Sequence, residues 1–98
     1  MKRDDLIAKI RDNAAAVRAL GAEALFLYGS HARDEAGSGS DVDVFIDRNP
    51  NARFGFIELT ELEFLLQDIL GVDVDLTTRT ALHPGLRRDI EMSAVKVL

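Results

Sequence analysis

The chain has 98 residues, 47% of them apolar, with 12 Lys+Arg against 17 Asp+Glu and a net charge of −5. That is the length of one domain (residues 1–98), with one modest core and an expected radius of gyration of about 13 Å. The charge argues against non-specific nucleic-acid binding, whose affinity comes from Lys and Arg on phosphates. The absence of cysteine excludes disulfides and thiolate metal sites, and no apolar run is long enough to span a membrane. Met1-Lys2-Arg3-Asp4-Asp5 has no signal-peptide apolar core behind it, so the expectation is a cytoplasmic protein.

In chain order, Asp4 to Leu20 predicts one helix, with Leu6, Ile7, Ile10, Ala14, Val17 and Leu20 on its apolar stripe. Asp4 or Asp5 would cap it and Gly21 would end it. Ala24 to Tyr28 reads as a strand buried on both faces. Gly29-Ser30 ends that strand, His31-Ala32-Arg33 starts a brief helix, and Gly37-Ser38-Gly39-Ser40 makes a loop. Asp41 to Asp47 alternates as a period-two strand, and Asn49-Pro50-Asn51 is turn chemistry. Phe56 to Leu70 predicts a second helix, with Ile57, Leu59, Leu62, Leu65, Leu66, Ile69 and Leu70 as its apolar surface and Gly71 as its stop. Val72 to Leu76 alternates again. Pro84 opens a third helix running to about Glu91, and Ala94 to Leu98 reads as a last strand. The expected fold class is α/β (α+β), a small mixed sheet of about four strands with helices packed on it.

Asp41 and Asp43 share one strand face about 6.6 Å apart, and Asp73 and Asp75 repeat the pattern. Asp is a poor strand former. If the two strands are neighbours, their carboxylates converge into an oxygen donor set suited to Mg²⁺, which binds substrate phosphates as well. Taken alone, either pair also describes an ordinary half-exposed strand with its acids in water.

The upstream turn adds to the pattern. Gly29 permits close backbone approach, the Ser30 hydroxyl can donate to a phosphate oxygen, and Arg33 follows one turn later. Read alone, these residues describe a capped strand-to-helix turn and an arginine paired with Asp34, Glu35 or Asp47. Asp47 lies a further 13 Å or so along the strand, which suits an ion pair better than a metal ligand. His31 reads as a surface histidine, and His83, just before Pro84, as structural.

Leu27-Tyr28-Gly29-Ser30-His31-Ala32-Arg33, ten residues between Ser30 and Asp41, and then Ser40-Asp41-Val42-Asp43 resemble the signature of the nucleotidyltransferase superfamily, the DNA polymerase beta-like fold. Val74-Asp75-Leu76-Thr77 resembles its third carboxylate strand. The shortness is similar to the minimal nucleotidyltransferases, antitoxins that pair with HEPN-domain toxins. By that resemblance Gly29 and Ser30 grip a nucleoside triphosphate and Arg33 contacts its phosphates. Asp41, Asp43 and Asp75 hold two Mg²⁺ ions, and Asp75, with Asp73 as its rival, accepts the acceptor proton.

The implied activity is transfer of AMP from ATP to a hydroxyl, a tyrosine of a partner HEPN toxin, with no nucleic acid or membrane involved. A homodimer or hetero-oligomer fits a chain too small to hold the acceptor by itself. Two other readings stand beside it: an antitoxin that acts by binding alone, its acidic face suited to a basic partner, and an aminoglycoside-type transferase acting on a small molecule.

Overall fold

The computed structural model describes residues 2–35 and 41–98. The Gly37 to Ser40 loop of the sequence reading falls outside these residues. The chain begins with two helices, α1 (Arg3–Asp12) and α2 (Ala14–Ala19), where the apolar periodicity predicts one. Asn13 breaks the run: its backbone leaves the helical region, and its side-chain amide donates to the Lys9 carbonyl at 2.9 Å. The start is not capped by Asp4 or Asp5. Lys2 occupies the cap position, and a carboxylate from elsewhere, Asp34 Oδ1, accepts the Arg3 backbone N–H at 3.3 Å.

Next come β1 (Ala22–Tyr28), the four-residue α3 (Gly29–Ala32), β2 (Val42–Arg48), α4 (Phe56–Leu70) and β3 (Val74–Thr78). A 3₁₀ turn (Arg79–Ala81), α5 (Pro84–Ser93) and β4 (Val95–Lys96) complete the chain. The four strands form one sheet in the order β3-β2-β1-β4. β1 runs antiparallel to β2 and β4, and β2 runs parallel to β3. This is the mixed sheet expected from the sequence, and the radius of gyration of the chain is 12.5 Å.

One sheet face carries the main core. Leu25, Leu27, Val42, Val44, Ile46, Val74 and Leu76 pack there against Leu6 and Ile10 of α1, Val17 of α2, and Leu62, Leu66 and Leu70 of α4. β1 is therefore buried on one face only, since Phe26 and Tyr28 on the other remain partly exposed. Ile57, expected on the apolar surface of α4, instead points to solvent. α4 starts with the Gly55 N–H bonded to Glu58 Oε1 at 3.0 Å and ends at Gly71 in the left-handed conformation, φ +70°. His83 caps α5, its Nδ1 accepting the Gly85 N–H at 3.0 Å. No helix among the described residues is long and apolar enough to cross a membrane.

Candidate active site

The sheet register decides which acids meet. Tyr28 of β1 is opposite Asp43 of β2, and Asp43 is in turn opposite Asp75 of β3. The three side chains form one row across the face that α1 and α4 do not cover. Neighbouring strands lie about 4.8 Å apart, so the two carboxylates stand side by side. Asp41 is exposed and two residues before Asp43. Asp73 precedes β3; its carbonyl accepts the Val42 N–H at 2.9 Å. It lies with Gln67, Gly71 and Val72 in a separate depression at the end of α4. Register thus sets Asp75, and not Asp73, directly beside Asp43.

Gly29 joins this row from above. Its φ is +74°, and a β-carbon built on it would fall 2.6 Å from Asp43 Oδ2. Positive φ and the missing side chain are both required, because the turn backbone lies against the carboxylate. Ser30 follows, half-buried, at the start of α3. Arg33, just after α3, is exposed and donates from Nε to Glu35 Oε2 at 3.1 Å. Of the sequence-predicted residues, Gly29, Ser30, Asp43 and Asp75 are gathered at one place. Asp41 stands at its rim, and Arg33 points to an ion pair outside it.

The electrostatics follow from this crowding. Burial, then the charges of Asp75 and Asp41, push the Asp43 carboxyl above its ordinary value, while nearby His31 opposes the rise. Burial and the charges of Asp43 and Asp75 push the Tyr28 phenol up. His31 is not a surface residue. α3 lies against β2, which turns the imidazole inward to 6% exposure, and its Nδ1 has no hydrogen-bond partner among the described residues.

No three acidic or imidazole groups converge into a ready cation site among the described residues. A pair of adjacent carboxylates with a third at the rim nevertheless fits Mg²⁺. That ion commonly takes one or two protein carboxylates and completes its shell with water and substrate phosphates. All the donors are hard oxygens, and a cation would offset the charges of Asp75 and Asp41 that add to burial in raising the Asp43 carboxyl.

The far end of the same face holds a group the sequence reading missed. Phe26 and Phe45 stack at 4.8 Å between centroids, with Tyr28 tilted on Phe45 at 5.7 Å. The Arg79 guanidinium lies 4.8 Å and 5.0 Å from the Phe26 and Phe45 ring centroids. It donates to both Asp47 oxygens at 2.7 and 2.9 Å and to Glu91 at 2.6 Å. Asp47 is thus an ion-pairing residue, as its distance along the strand suggests. Arg79 had one signal in the sequence: it is the only Lys or Arg between Phe54 and Leu86.

Comparison with known proteins places this geometry in context. The family model for the nucleotidyltransferase domain matches residues 10–97. Protein adenylyltransferase MntA of Thermococcus cleftensis is 31% identical over 77 residues, 79% of this chain and 76% of that protein. A candidate protein adenylyltransferase of Methanocaldococcus jannaschii is 34% identical over 76 residues, 76% of each chain. Among solved structures, a candidate minimal nucleotidyltransferase superposes with a TM-score of 0.82 at 27% identity, covering 97% of this chain and 95% of that one. A complex of the MNT antitoxin with the tri-AMPylated HEPN toxin of Shewanella oneidensis shares the fold, with a TM-score of 0.59 at 20% identity over 98% of this chain and 68% of that one. The match to the domain along nearly the whole chain, on the fold its structural neighbours share, makes this protein a member of the nucleotidyltransferase family.

Proposed function

We propose that this protein transfers AMP from ATP to a tyrosine hydroxyl of a HEPN-domain toxin and so acts as its antitoxin. The observation that carries the reading is the row in which Asp43 lies beside Asp75, with the Gly29-Ser30 turn seated on the Asp43 carboxylate. Protein adenylyltransferases among its relatives, and a tri-AMPylated HEPN toxin bound to the antitoxin of a structural neighbour, support the choice of nucleotide and acceptor.

Asp41, Asp43 and Asp75 would hold two Mg²⁺ ions, which when bound neutralise the triphosphate and acidify the acceptor hydroxyl. Gly29 lets the turn backbone approach the triphosphate, and the Ser30 hydroxyl donates to a phosphate oxygen. Arg33 exchanges its exposed pairing with Glu35, weak in water, for a charged phosphate. The acceptor oxygen attacks the α-phosphorus, its proton passes to Asp75, and the bond to the β-phosphate breaks to release pyrophosphate. The work is mostly positioning and charge stabilisation.

The test is incubation with labelled ATP, Mg²⁺ and a HEPN-domain toxin, followed by mapping of the label by mass spectrometry. The expected result is AMP on a toxin tyrosine, lost in Asp41→Asn/Asp43→Asn. Transfer that persists in that variant would sink the proposed mechanism. Undiminished neutralisation by the variant would instead show that binding alone is the activity.

A further inference from the structure

The outer side of α4 carries large apolar residues that the core does not use. Its buried seam is Leu62, Leu66 and Leu70. At 100° per residue, Ile57 and Phe64 lie on the opposite side, two turns apart, and they are 65% and 64% exposed. Glu61 and Asp68 lie beside them at the same seven-residue spacing, each four residues after an apolar partner, and both are exposed. Phe56, 82% exposed, stands at the start of the helix about 100° round from Ile57. An ordinary solvated helix face is polar; here two large apolar side chains seven residues apart, each followed by an acid four residues on, stand in water with nothing packed on them among the described residues.

The charge pattern selects the occupant. Between Phe54 and Thr78 there are six acids and no Lys or Arg, and Arg53, beside Phe56 and Ile57 ahead of the helix, is the one cation bordering the N-terminal end of the face. None of the ion pairs among the described residues uses Glu61 or Asp68. A second copy of this chain would set acid against acid across the seam, and an anionic lipid surface would be repelled. A helix with apolar residues at heptad spacing and Lys or Arg flanking them would satisfy both halves of the pattern.

We propose that the outer face of α4, centred on Ile57 and Phe64 and flanked by Glu61 and Asp68, docks a basic amphipathic helix of a partner protein. This face is on the opposite side of the sheet from Asp43 and Asp75, so the partner is held without covering the carboxylates. The proposal does not depend on the catalytic reading.

The test uses the full chain and a fluorescent synthetic helix of about three heptads, Leu at a and d and Lys at e and g. Its twin carries Glu at e and g. Anisotropy titration at physiological salt is expected to show saturable binding of the Lys peptide and none of the Glu peptide. Ile57→Ser/Phe64→Ser weakens binding at least tenfold. Glu61→Lys/Asp68→Lys abolishes it and admits the Glu peptide. Asp41→Asn/Asp43→Asn leaves it unchanged. All four substituted α4 positions are exposed, and circular dichroism checks that each variant keeps its fold. Three outcomes would overturn the proposal. These are no binding, binding lost with the carboxylates instead of with α4, and sedimentation showing a dimer that Ile57→Ser/Phe64→Ser disperses.

Discussion

Gly29 carries two constraints at one atom. An added methyl would face the positive-φ penalty and a contact of 2.6 Å with Asp43 Oδ2. Gly29→Ala is therefore expected to cost about 1–2 kcal/mol in urea unfolding and to reduce nucleotidyl transfer severely, because Asp43 must move for the methyl to fit. Asp43 itself is expected to trade stability for function. Burial and its acidic neighbours raise its carboxyl in the folded state, so the folded protein prefers the protonated form. Below the unfolded value of about 3.8 the group is neutral in both states and imposes no cost; as pH rises through the folded value the cost appears and then persists. Asp43→Asn should therefore raise the Tm of the metal-free protein at pH 7, by an amount that solvent screening of this half-exposed group keeps small. The gain should vanish below pH 4, and the same variant should be inactive. Calorimetry across pH checks the sign, and a Tm lowered at pH 7 would refute it.

Arg79 acts at the level of elements. It joins the end of β2 through Asp47, α5 through Glu91, and the aromatic pair Phe26 and Phe45 beneath it. α5 has no buried residue of its own, so this clamp holds much of it in place, while the Arg87–Glu91 pair is internal to the helix and orients the Glu91 carboxylate. The two carboxylates push the Arg79 pKa up, and Arg79 in turn holds the Glu91 carboxyl below its ordinary value. Arg79→Ala is expected to cost about 2 kcal/mol and to raise amide exchange selectively in α5. Arg79→Lys should recover only part of this, since an ammonium cannot make the bidentate contact with Asp47. Uniform exchange along the chain would argue against the clamp. The elements also show where periodicity misleads. The stripe from Leu6 to Leu20 continues through Asn13, so pattern alone yields one helix, whereas the Asn13 side chain competes for backbone hydrogen bonds and splits it. In α4 the apolar residues exceed what one sheet face can cover, and Ile57 and Phe64 are left outside.

For the whole molecule, size sets the margin. A domain of 98 residues has a net stability of about 5–15 kcal/mol. Leu66 is fully buried between α4 and the sheet, so Leu66→Ala should cost about 2–5 kcal/mol and leave a marginal fold, read as a falling urea midpoint at constant m. The sequence by itself determined the mixed class, the alternation of helices and strands, the extent of α4 and the identity of the Gly29-Ser30 turn and the Asp41-Val42-Asp43 strand. These depend on local rules of period, capping and turn chemistry, which nearby residues express. Its alternation alone did not separate Asp73 from Asp75, since residues two apart share a face in a strand pattern, and only the resemblance favoured Asp75. Only the parallel register of β2 with β3 brings Asp75 level with Asp43. The inward turn of His31, the seating of Gly29 on Asp43, and the Arg79 clamp likewise belong to the tertiary structure. Each joins residues distant in the chain, and no local preference encodes which partner a folded sheet will bring beside them.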